Sequence, residues 1–309
     1  MGDGGSITRS ETAFGWRSWT MKKKALVVFS VLFIIVAIAI GLGVGLGIGL
    51  RKSNDSEEPS QGTIIWQPAV RTTWQIELLY PLNDTSYDVD VYDIDLFIND
   101  ESIISELHND GRKVICYFSA GSYENWRPDV RKFRPGDLGN TLQGWEDEKW
   151  LDIRSDNVRD IMKDRLDMAR DKGCDGVDPD NVDGYDNDNG LDLTPDDSVN
   201  FVRFLAREAH SRGLSIGLKN AGDIIHSVID LMQWSVNEQC AEFDECDTYA
   251  VFTEQGKPVF HIEYPKGDEI SDNKPVTTAQ KNSACNAAGS GNFSTIIKNM
   301  NLDNWIQIC

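Results

Sequence analysis

The sequence is poor in positive charge and in histidine. Lysine and arginine number 30 against 50 aspartates and glutamates, which gives a formal net charge of −20 at pH 7. A field of that sign repels nucleic acid and attracts cations, small or polymeric, although solubility alone would also explain it. Only four histidines occur, and none forms an HxH or HExxH pattern. We therefore expect no nucleic-acid partner, no metal and no other cofactor.

Two further kinds of site are not supported by the stretches that come closest to them. The Gly-Ser pair of FSAGSY is not followed by the second glycine of a GxSxG nucleophile elbow. The Asp- and Asn-rich stretch from Asp178 to Asp188 leaves calcium as a rival interpretation. An EF-hand loop starting at Asp178 fails, however, since Val182 falls at a ligand position and Asp183 at the glycine position. A serine hydrolase and an EF-hand protein are therefore not indicated.

The first sixty residues do not have the composition of a globular domain. Residues 25–50 contain no charged side chain and are long enough to span a bilayer. Five basic residues precede this run and only Arg51 and Lys52 follow it, which places the N-terminus in the cytoplasm. A cleaved signal peptide is the alternative, but it has a shorter apolar core and a small-residue exit. We favour an uncleaved signal anchor.

Cysteines and glycosylation sequons agree with an outer location for the rest of the chain. All six cysteines follow the apolar run, and an even number there suggests disulfides. Sequons begin at Asn54, Asn83 and Asn292. We therefore predict a single-pass type II membrane protein at the plasma membrane or in the secretory pathway. The sequence does not decide whether the outer domain is released from the membrane. Sequence alone does not fix the disulfide pairing, and our proposed pairs are Cys116–Cys174, Cys240–Cys246 and Cys285–Cys309.

The predicted organisation has four parts: a cytoplasmic tail over residues 1–24, the anchor over 25–50, a polar linker over 51–62 and an outer domain over 63–309. The outer domain has the usual size of a (β/α)8 barrel, roughly 250 residues. Helical patterns such as Val158–Lys172 and Val199–Arg212 alternate with apolar runs. The predicted class is therefore an α/β, (β/α)8 TIM-type barrel, with a doubly wound sheet as the rival. The predicted strands are Trp74–Leu79, Val89–Phe97, Val114–Ser119, Gly176–Asp180, Leu214–Lys219, Gln233–Glu238, Pro258–Glu263 and Ser294–Lys298.

Polar residues gather where the predicted strands end. The run GCDGVDPDNVDGY brings Asp178 and Asp180 to one face of a strand, because side chains two apart share a face. Pro179 cannot donate to a sheet ladder, so it marks where regular pairing stops. A solvated acidic loop would explain this run alone. Most of the other predicted strands also end in polar residues, and a barrel collects the carboxyl ends of its strands on one face. The pattern therefore predicts a catalytic site on that face. Residues 122–157 are predicted to form an excursion that covers this site.

The outer domain resembles the endo-α-1,4-polygalactosaminidases, glycoside hydrolase family 114, in six blocks: CYFSAGSYENWRPD, WLDIRS, GCDGVDPDNVDGY, GLKN, VNEQC and GKPVFHIEY. The resemblance runs from about Trp74 to Tyr264. It implies a (β/α)8 barrel that cleaves α-1,4-linked galactosamine within a secreted, partly deacetylated galactosaminogalactan-type polysaccharide. It places the nucleophile on Asp180 and the acid/base on Glu238. His261, where the family leads us to expect Asn, is a minor departure that would alter a subsite.

The neighbouring residues fit those two roles. In a retaining mechanism one carboxylate attacks the anomeric carbon and the other protonates the leaving oxygen. Lys219 on the adjoining strand would keep Asp180 ionised. Asp178 is the rival nucleophile. Glu238 would keep its proton because acidic residues follow it in the sequence, namely Glu242, Asp244 and Glu245.

A deacetylated galactosamine polymer carries ammonium groups, so an acidic groove would bind it, with aromatic rings for stacking. Arg127 is expected to pair with an acid rather than contact a cationic sugar. The alternatives are a hydrolase of neutral α-galactosides, a non-catalytic polysaccharide-binding barrel and a membrane-anchored interaction platform. The candidate substrate-binding residues are Asp93, Asp95, Tyr117, Glu124, Trp126, Asp178, Asn181, Asp183, Tyr185, Lys219, Asn220, Asn237 and Glu263.

Overall fold

Strands and helices alternate through most of the part that the structure, a computed structural model, describes, which is residues 65–309. The predicted tail, anchor and linker lie outside these residues. The strands are β1 (Trp74–Glu77), β2 (Val91–Asp95), β3 (Lys113–Ser119), β4 (Ser122–Glu124), β5 (Leu138–Leu142), β6 (Trp145–Leu151), β7 (Gly176–Asp180), β8 (Ser215–Lys219), β9 (Trp234–Glu238), β10 (Val259–Glu263), β11 (Ser294–Lys298) and β12 (Ile306–Ile308). The helices are α1 (Glu101–Asn109), α2 (Asp156–Lys172), α3 (Pro195–Ser211), α4 (Ile225–Val228), α5 (Cys246–Glu254) and α6 (Thr278–Cys285).

The main sheet runs β1-β2-β3-β7-β8-β9-β10-β11-β12, and every neighbouring pair is parallel except β11 with β12. Its two ends meet, because Trp74 of β1 donates to the Ser294 carbonyl of β11 at 2.7 Å. Lys298 of β11 also donates to Gln75 Oε1 at 3.0 Å. In the described residues β1 and β11 share no strand ladder, so these side chains close the seam together with the Leu78 N–H, which donates to the Leu302 carbonyl at 3.0 Å. The predicted barrel-like α/β fold is confirmed.

All eight predicted barrel strands are present, with bounds that shift by no more than two residues. The helices follow the (β/α)8 pattern less strictly. In the described chain no α-helix connects β1 to β2, and α4 between β8 and β9 has only four residues. The β1–β2 connection contains Pro81, Asn83 and Asp84, residue types that favour turns over helices.

One large side chain explains the glycines of two neighbouring strands. Trp234 of β9 is fully buried in the barrel. A Cβ on Gly176 of β7 would lie 2.5 Å from its ring, and one on Gly217 of β8 would lie 2.0 Å from its Nε1. These two positions therefore accept only glycine without repacking.

The excursion over residues 122–157 is a small antiparallel sheet ordered β4-β6-β5. Its first strand follows β3 after only two residues, and the Leu151 amide donates to the Gly121 carbonyl at 2.9 Å. The sheet therefore stands at the carboxyl end of β3, on the face where the barrel strands end.

Three disulfides join Cys116 to Cys174, Cys240 to Cys246 and Cys285 to Cys309, which confirms the proposed pairing. The first links β3 to the start of the segment that leads into β7. Among residues 65–309, no helix combines the length and apolar character that crossing a membrane requires.

Candidate active site

Two carboxylates at the ends of alternate barrel strands share one buried cation. Asp180 is the last residue of β7 and Glu238 is the last residue of β9, while Lys219 ends β8 between them. Lys219 Nζ lies 3.3 Å from Asp180 Oδ2 and 3.3 Å from Glu238 Oε2. The Lys219 side chain is 2% exposed, whereas those of Asp180 and Glu238 are 19% and 23% exposed. Solvent and ligands therefore reach both carboxylates but not the cation behind them.

The carboxylates around Lys219 keep its side chain protonated. Burial alone would lower the pKa of Lys219, but the carboxylates of Asp180, Glu238 and Asp178 raise it well above its usual range. The ammonium group therefore persists at any physiological pH. Its third neighbour, Asp178 Oδ2, lies 3.9 Å away.

Asp180 is oriented by donors on both of its oxygens. The Tyr117 hydroxyl donates to Oδ2 at 2.9 Å, and the Asn181 backbone N–H donates to Oδ1 at 2.7 Å. Burial and the adjacent Asp180 carboxylate raise the pKa of Tyr117 well above its usual range, so the phenol remains a donor. Donors therefore fix both oxygens of Asp180 in position, and one of the two oxygens also faces the Lys219 ammonium group.

Glu238 is held by a different set of donors. The Tyr264 hydroxyl donates to Oε1, and the Asn220 side-chain amide donates to Oε2 at 3.3 Å. Asn220 Oδ1 in turn accepts the Glu238 backbone N–H at 2.9 Å. Because Tyr264 and Asn220 come from different strands, the carboxyl group is fixed from two sides.

The backbone just past these strands is strained. Asn181, Asn220 and Gln239 follow the last residues of β7, β8 and β9, and their φ values are 59°, 46° and 66°. Left-handed backbone is uncommon for non-glycine residues and concentrates at functional sites. The turn at Asn181 requires glycine at position 121, because a Cβ there would lie 1.7 Å from the Asn181 carbonyl oxygen. The packing around Gly121 therefore sets the direction of the chain after Asp180.

These residues line a cleft of about 830 Å³ at the carboxyl ends of the strands. Within the described chain its walls carry nine carboxylates but only Lys219 and Arg127 as cations, so the cleft is strongly anionic. Aromatic side chains stand around it, and Trp126, Trp145 and Phe243 are more than half exposed. Such rings offer flat apolar faces to a ligand beside acidic groups. The carboxylates are Asp95, Glu124, Glu148, Asp180, Asp183, Asp186, Asp223, Glu238 and Glu245.

Most of the predicted site residues lie on this cleft. Besides Asp180 and Glu238, it is lined by Asp95, Tyr117, Glu124, Trp126, Asn181, Asp183, Tyr185, Lys219 and Asn220. Burial and the adjacent Asp180 charge raise the pKa of Asp183 to about 6. Four other predicted residues are buried away from the cleft surface: Asp93, Asp178, Asn237 and Glu263.

Asp93 and Asp178 are fully buried, and none of their carboxyl oxygens has a hydrogen-bond partner in the described residues. Burial raises the pKa of Asp93 well above its usual range and that of Asp178 to about 7. Both therefore hold a proton more readily than an ordinary carboxyl group does. Asp178, the rival nucleophile, lies deeper than Asp180 and lacks its exposure.

Two other buried predicted residues have structural partners. Asn237 Oδ1 accepts the Cys240 N–H at 3.2 Å. Glu263 Oε1 accepts from the Ala241 N–H and contacts His261, each at 2.8 Å. His261 is itself fully buried and away from the cleft, so the subsite effect expected of it is not supported.

The sequence analysis predicted the charged neighbours of Arg127 correctly but not those of Glu238. Arg127 pairs with Asp95 at 2.7 Å and with Glu124 at 2.6 Å, so its predicted pairing with an acid is confirmed. The acidic residues after Glu238 do not surround it as expected, because Glu242, Asp244 and Glu245 are exposed. Lys219, Tyr264 and Asn220 contact Glu238 instead.

Sequence reasoning missed several side chains of the site, among them Tyr264 and Glu148. Tyr264 was not predicted as a site residue, although its position directly after β10 was the signal for its contact with Glu238. Glu148 lies in a highly charged segment, and nothing in that segment marks one carboxylate for burial. The structure alone places Glu148 on the cleft.

One group of side chains in the described residues has the composition of a metal site. Cys240, Cys246 and His261 lie close together and are buried. Cys240 and Cys246 form a disulfide, so neither is the thiolate that a metal binds. The group does not fit a metal.

Comparison with known proteins now decides the family. The sequence profile of Glycoside-hydrolase family GH114 matches residues 55–309. The chain belongs to glycoside-hydrolase family GH114. The resemblance seen in the sequence is confirmed, and the protein is a glycosidase of this family. No curated protein matches the chain.

Solved structures agree with the GH114 assignment. The crystal structure of Aspergillus fumigatus Ega3 in complex with galactosamine is 72% identical, with a TM-score of 0.78, and the match covers 79% of this chain and 97% of that chain. The glycoside hydrolase domain of PelA from Pseudomonas aeruginosa is 13% identical, with a TM-score of 0.59, over 76% of this chain and 98% of that chain. At that identity the PelA domain supports the fold alone.

Proposed function

We propose that this GH114 protein is an endo-acting glycoside hydrolase that cleaves α-1,4-linked galactosamine in a cationic, partly deacetylated galactosaminogalactan-type polysaccharide. Asp180 is the nucleophile and Glu238 is the acid/base. The observation that carries this proposal is the pair of accessible carboxylates on one buried ammonium group at the floor of an anionic cleft.

The two carboxylates lie close enough for retention of configuration. Retaining glycosidases place the carboxyl groups about 5–5.5 Å apart, and inverting ones about 6.5–9.5 Å apart. Asp180 Oδ2 and Glu238 Oε2 each lie 3.3 Å from Lys219 Nζ, so these two oxygens cannot be further apart than twice that distance. This limit applies to the two facing oxygens and is compatible with the double displacement that we propose.

The two carboxyl groups divide the reaction between them. Asp180 attacks the anomeric carbon while Glu238 gives its proton to the leaving glycosidic oxygen. Glu238 then removes a proton from water, the resulting oxygen attacks the same carbon, and the bond to Asp180 breaks. Lys219 and Tyr117 favour the ionised form of Asp180 both before the attack and after its release. Tyr264 and Asn220 keep Glu238 oriented toward the bond.

The charge and shape of the cleft support the choice of substrate. Nine carboxylates against two cations favour a polymer that carries ammonium groups over a neutral one. The similar Ega3 protein was crystallised with galactosamine, which supports the same sugar here. An open cleft with exposed aromatic rings after β4, at the start of β6 and after β9 fits several consecutive sugars and so supports cleavage within a chain.

Digestion of matched polymers tests the proposal. The purified protein is incubated with deacetylated and with fully N-acetylated α-1,4-galactosaminan, and reducing ends and product lengths are followed. We expect oligomers from the deacetylated polymer, with none from Asp180→Asn or Glu238→Gln protein. Equal cleavage of both polymers, faster cleavage of a neutral α-galactoside, or binding without cleavage would each contradict it.

We further propose that residues 25–50 anchor the enzyme as a type II membrane protein with its catalytic domain outside. The basic residues before the apolar run and the three disulfides after it support this orientation. Protease treatment of intact cells should remove the catalytic domain, and alkaline carbonate should leave the uncut protein in the membrane. Full release by carbonate, or removal of the catalytic domain by a protease confined to the cytoplasmic side of sealed vesicles, would contradict the proposed anchor.

A further inference from the structure

Glu148 is a buried carboxylate on the cleft that forms no ion pair within the described residues. It lies on β6, opposite Glu124 of β4, and is 8% exposed. Its neighbour Glu124 is neutralised by Arg127 at 2.6 Å, and Asp180 and Glu238 share Lys219. No basic side chain of the described chain forms an ion pair with Glu148. A buried carboxylate without a counter-ion is costly unless it is protonated or a ligand supplies the charge.

The two oxygens of Glu148 have different surroundings. Oε2 accepts a hydrogen bond from Ser122 Oγ at 2.6 Å. No hydrogen bond within residues 65–309 reaches Oε1, and the side chain lines the cleft. Burial, together with the charges of Glu124 and Asp180, raises the pKa of Glu148 to about 7. One oxygen therefore remains available to a donor that enters the cleft.

A chain of hydrogen bonds fixes Glu148 relative to Asp180. Ser122 Oγ, which holds Glu148, lies 2.6 Å from Ser119 Oγ. The Asn181 side-chain amide donates to Ser119 Oγ at 2.9 Å, and the Asn181 backbone donates to Asp180 Oδ1 at 2.7 Å. The position of Glu148 is therefore set by the same residues that orient the nucleophile.

We propose that Glu148 binds the ammonium group of a galactosamine unit in the subsite adjoining Asp180, and thereby selects deacetylated over N-acetylated units. This inference rests on the proposed function. The ammonium group donates to Oε1 and supplies the missing positive charge. An N-acetyl group supplies no charge there, so the buried carboxylate stays unpaired or protonated.

Glu148→Gln tests the inference on the full-length protein, because it keeps the shape and removes only the charge. Initial rates are measured with deacetylated and N-acetylated oligomers of equal length. For the deacetylated oligomer we expect KM to rise about 10- to 100-fold with kcat changed little, since ground-state and transition-state binding are lost together. The preference for deacetylated substrate should fall by the same factor. Glu146→Gln is the matched control, because Glu146 lies on the same strand but is exposed. This variant should keep the wild-type KM and kcat on both oligomers.

A second measurement is independent of turnover. Galactosamine binding to Asp180→Asn protein is followed by calorimetry at pH 6.5 in buffers of different ionisation enthalpy. Binding should release protons as Glu148 becomes ionised, and Glu148→Gln in the same background should release fewer. If Glu148→Gln protein shows an unchanged substrate preference and unchanged proton release, the inference is wrong but the proposed function stands. The same conclusion follows if Glu148→Gln lowers kcat equally on both oligomers. Wild-type protein that cleaves neither oligomer would refute the proposed function itself.

Discussion

Tyr117 donates a hydrogen bond of 2.9 Å to Asp180 Oδ2, the same oxygen that faces the buried ammonium group. A phenol and a cation thus stabilise one carboxylate oxygen, while the other accepts a backbone N–H. All three donors favour the ionised form that a nucleophile needs. The strands that carry Tyr117, Asp180 and Lys219 are neighbours, so the arrangement is fixed by the barrel rather than by mobile loops.

Replacing Lys219 by Met should reduce activity and stability together. Asp178, Asp180 and Glu238 then lose the cation that they share within the described residues, and leaving the fully buried Asp178 ionised without it costs about 3–5 kcal/mol. We expect kcat/KM to fall about 10²–10³-fold. The loss of thermal stability should be greatest above pH 7 and shrink by pH 5, because the pKa of Asp178 is already about 7 with Lys219 present.

A stability deficit of Lys219→Met that does not change with pH would contradict this electrostatic explanation. Lys274→Met, at a side chain 86% exposed, is the control and should show neither effect.

Substrates with different leaving groups should distinguish the roles that we propose for Asp180 and Glu238. Glu238→Ala should slow cleavage of the polymer about 10²–10⁴-fold, the usual contribution of a general acid. It should slow bond cleavage far less for an oligomeric aryl glycoside with an activated phenol, which leaves without a proton. Asp180→Ala should be inactive on both substrates. Azide should restore turnover of the Glu238 variant and give an α-glycosyl azide, as NMR would show. A β-azide from that variant would exclude the retaining assignment.

Gly121→Ala should displace the nucleophile. A Cβ at this position would lie 1.7 Å from the Asn181 carbonyl oxygen, so the strand ends must separate. We expect a loss of about 1–3 kcal/mol in stability and about 10²-fold in kcat. Thermal melting and steady-state kinetics check both values. Gly136→Ala has nothing within 4 Å of the new methyl group and should behave as wild type. Equal behaviour of the two variants would show that the close contact has no role.

Glu77→Gln should stabilise the protein at alkaline pH. Burial raises the pKa of Glu77 to about 7, and its Oε2 has no hydrogen-bond partner in the described residues. The folded protein therefore binds more protons than the unfolded chain between about pH 4.5 and 7, and ionised Glu77 destabilises it above that range. The variant should gain about 1–3 kcal/mol at pH 8 and nothing at pH 4, measured by denaturant titration at both values. A gain of the same size at pH 4 would mean that packing, not charge, is responsible.

The barrel could be predicted from sequence because each strand is a short apolar run that ends in polar residues. Gly176–Asp180 and Ser294–Lys298 were predicted with their observed bounds. The β4-β6-β5 sheet was predicted only as an excursion, since its longest strand, Trp145–Leu151, is mostly exposed and charged. This strand pairs with the short strands β4 and β5 instead of packing on the core, so its sequence lacks the apolar pattern from which a strand is predicted.

The site was predicted less completely than the fold. Strand ends meet at one face of a barrel, which made Asp180, Glu238 and Lys219 candidates, and the family resemblance singled out Asp180 and Glu238 as the predicted catalytic pair. The depth of a side chain along a strand is harder to infer. Asp93 and Asp95 share a face of β2, yet Asp95 lines the cleft and Asp93 is buried below it. Two residues of rise, roughly 6.6 Å, separate an acid that lines the cleft from a buried one.

The seam between β1 and β11 gives this barrel one line along which no ladder hydrogen bond needs to break. Side chains such as Lys298 on Gln75 and Trp74 on the Ser294 carbonyl bridge it, and just beyond the two strands the Leu78 N–H donates to the Leu302 carbonyl at 3.0 Å. Subglobal opening should therefore begin there, and the amides on either side should exchange with solvent before those of β7 and β8. The catalytic strands lie far from that line in the sheet order, so the enzyme can loosen at its weakest edge while its reacting groups stay in register.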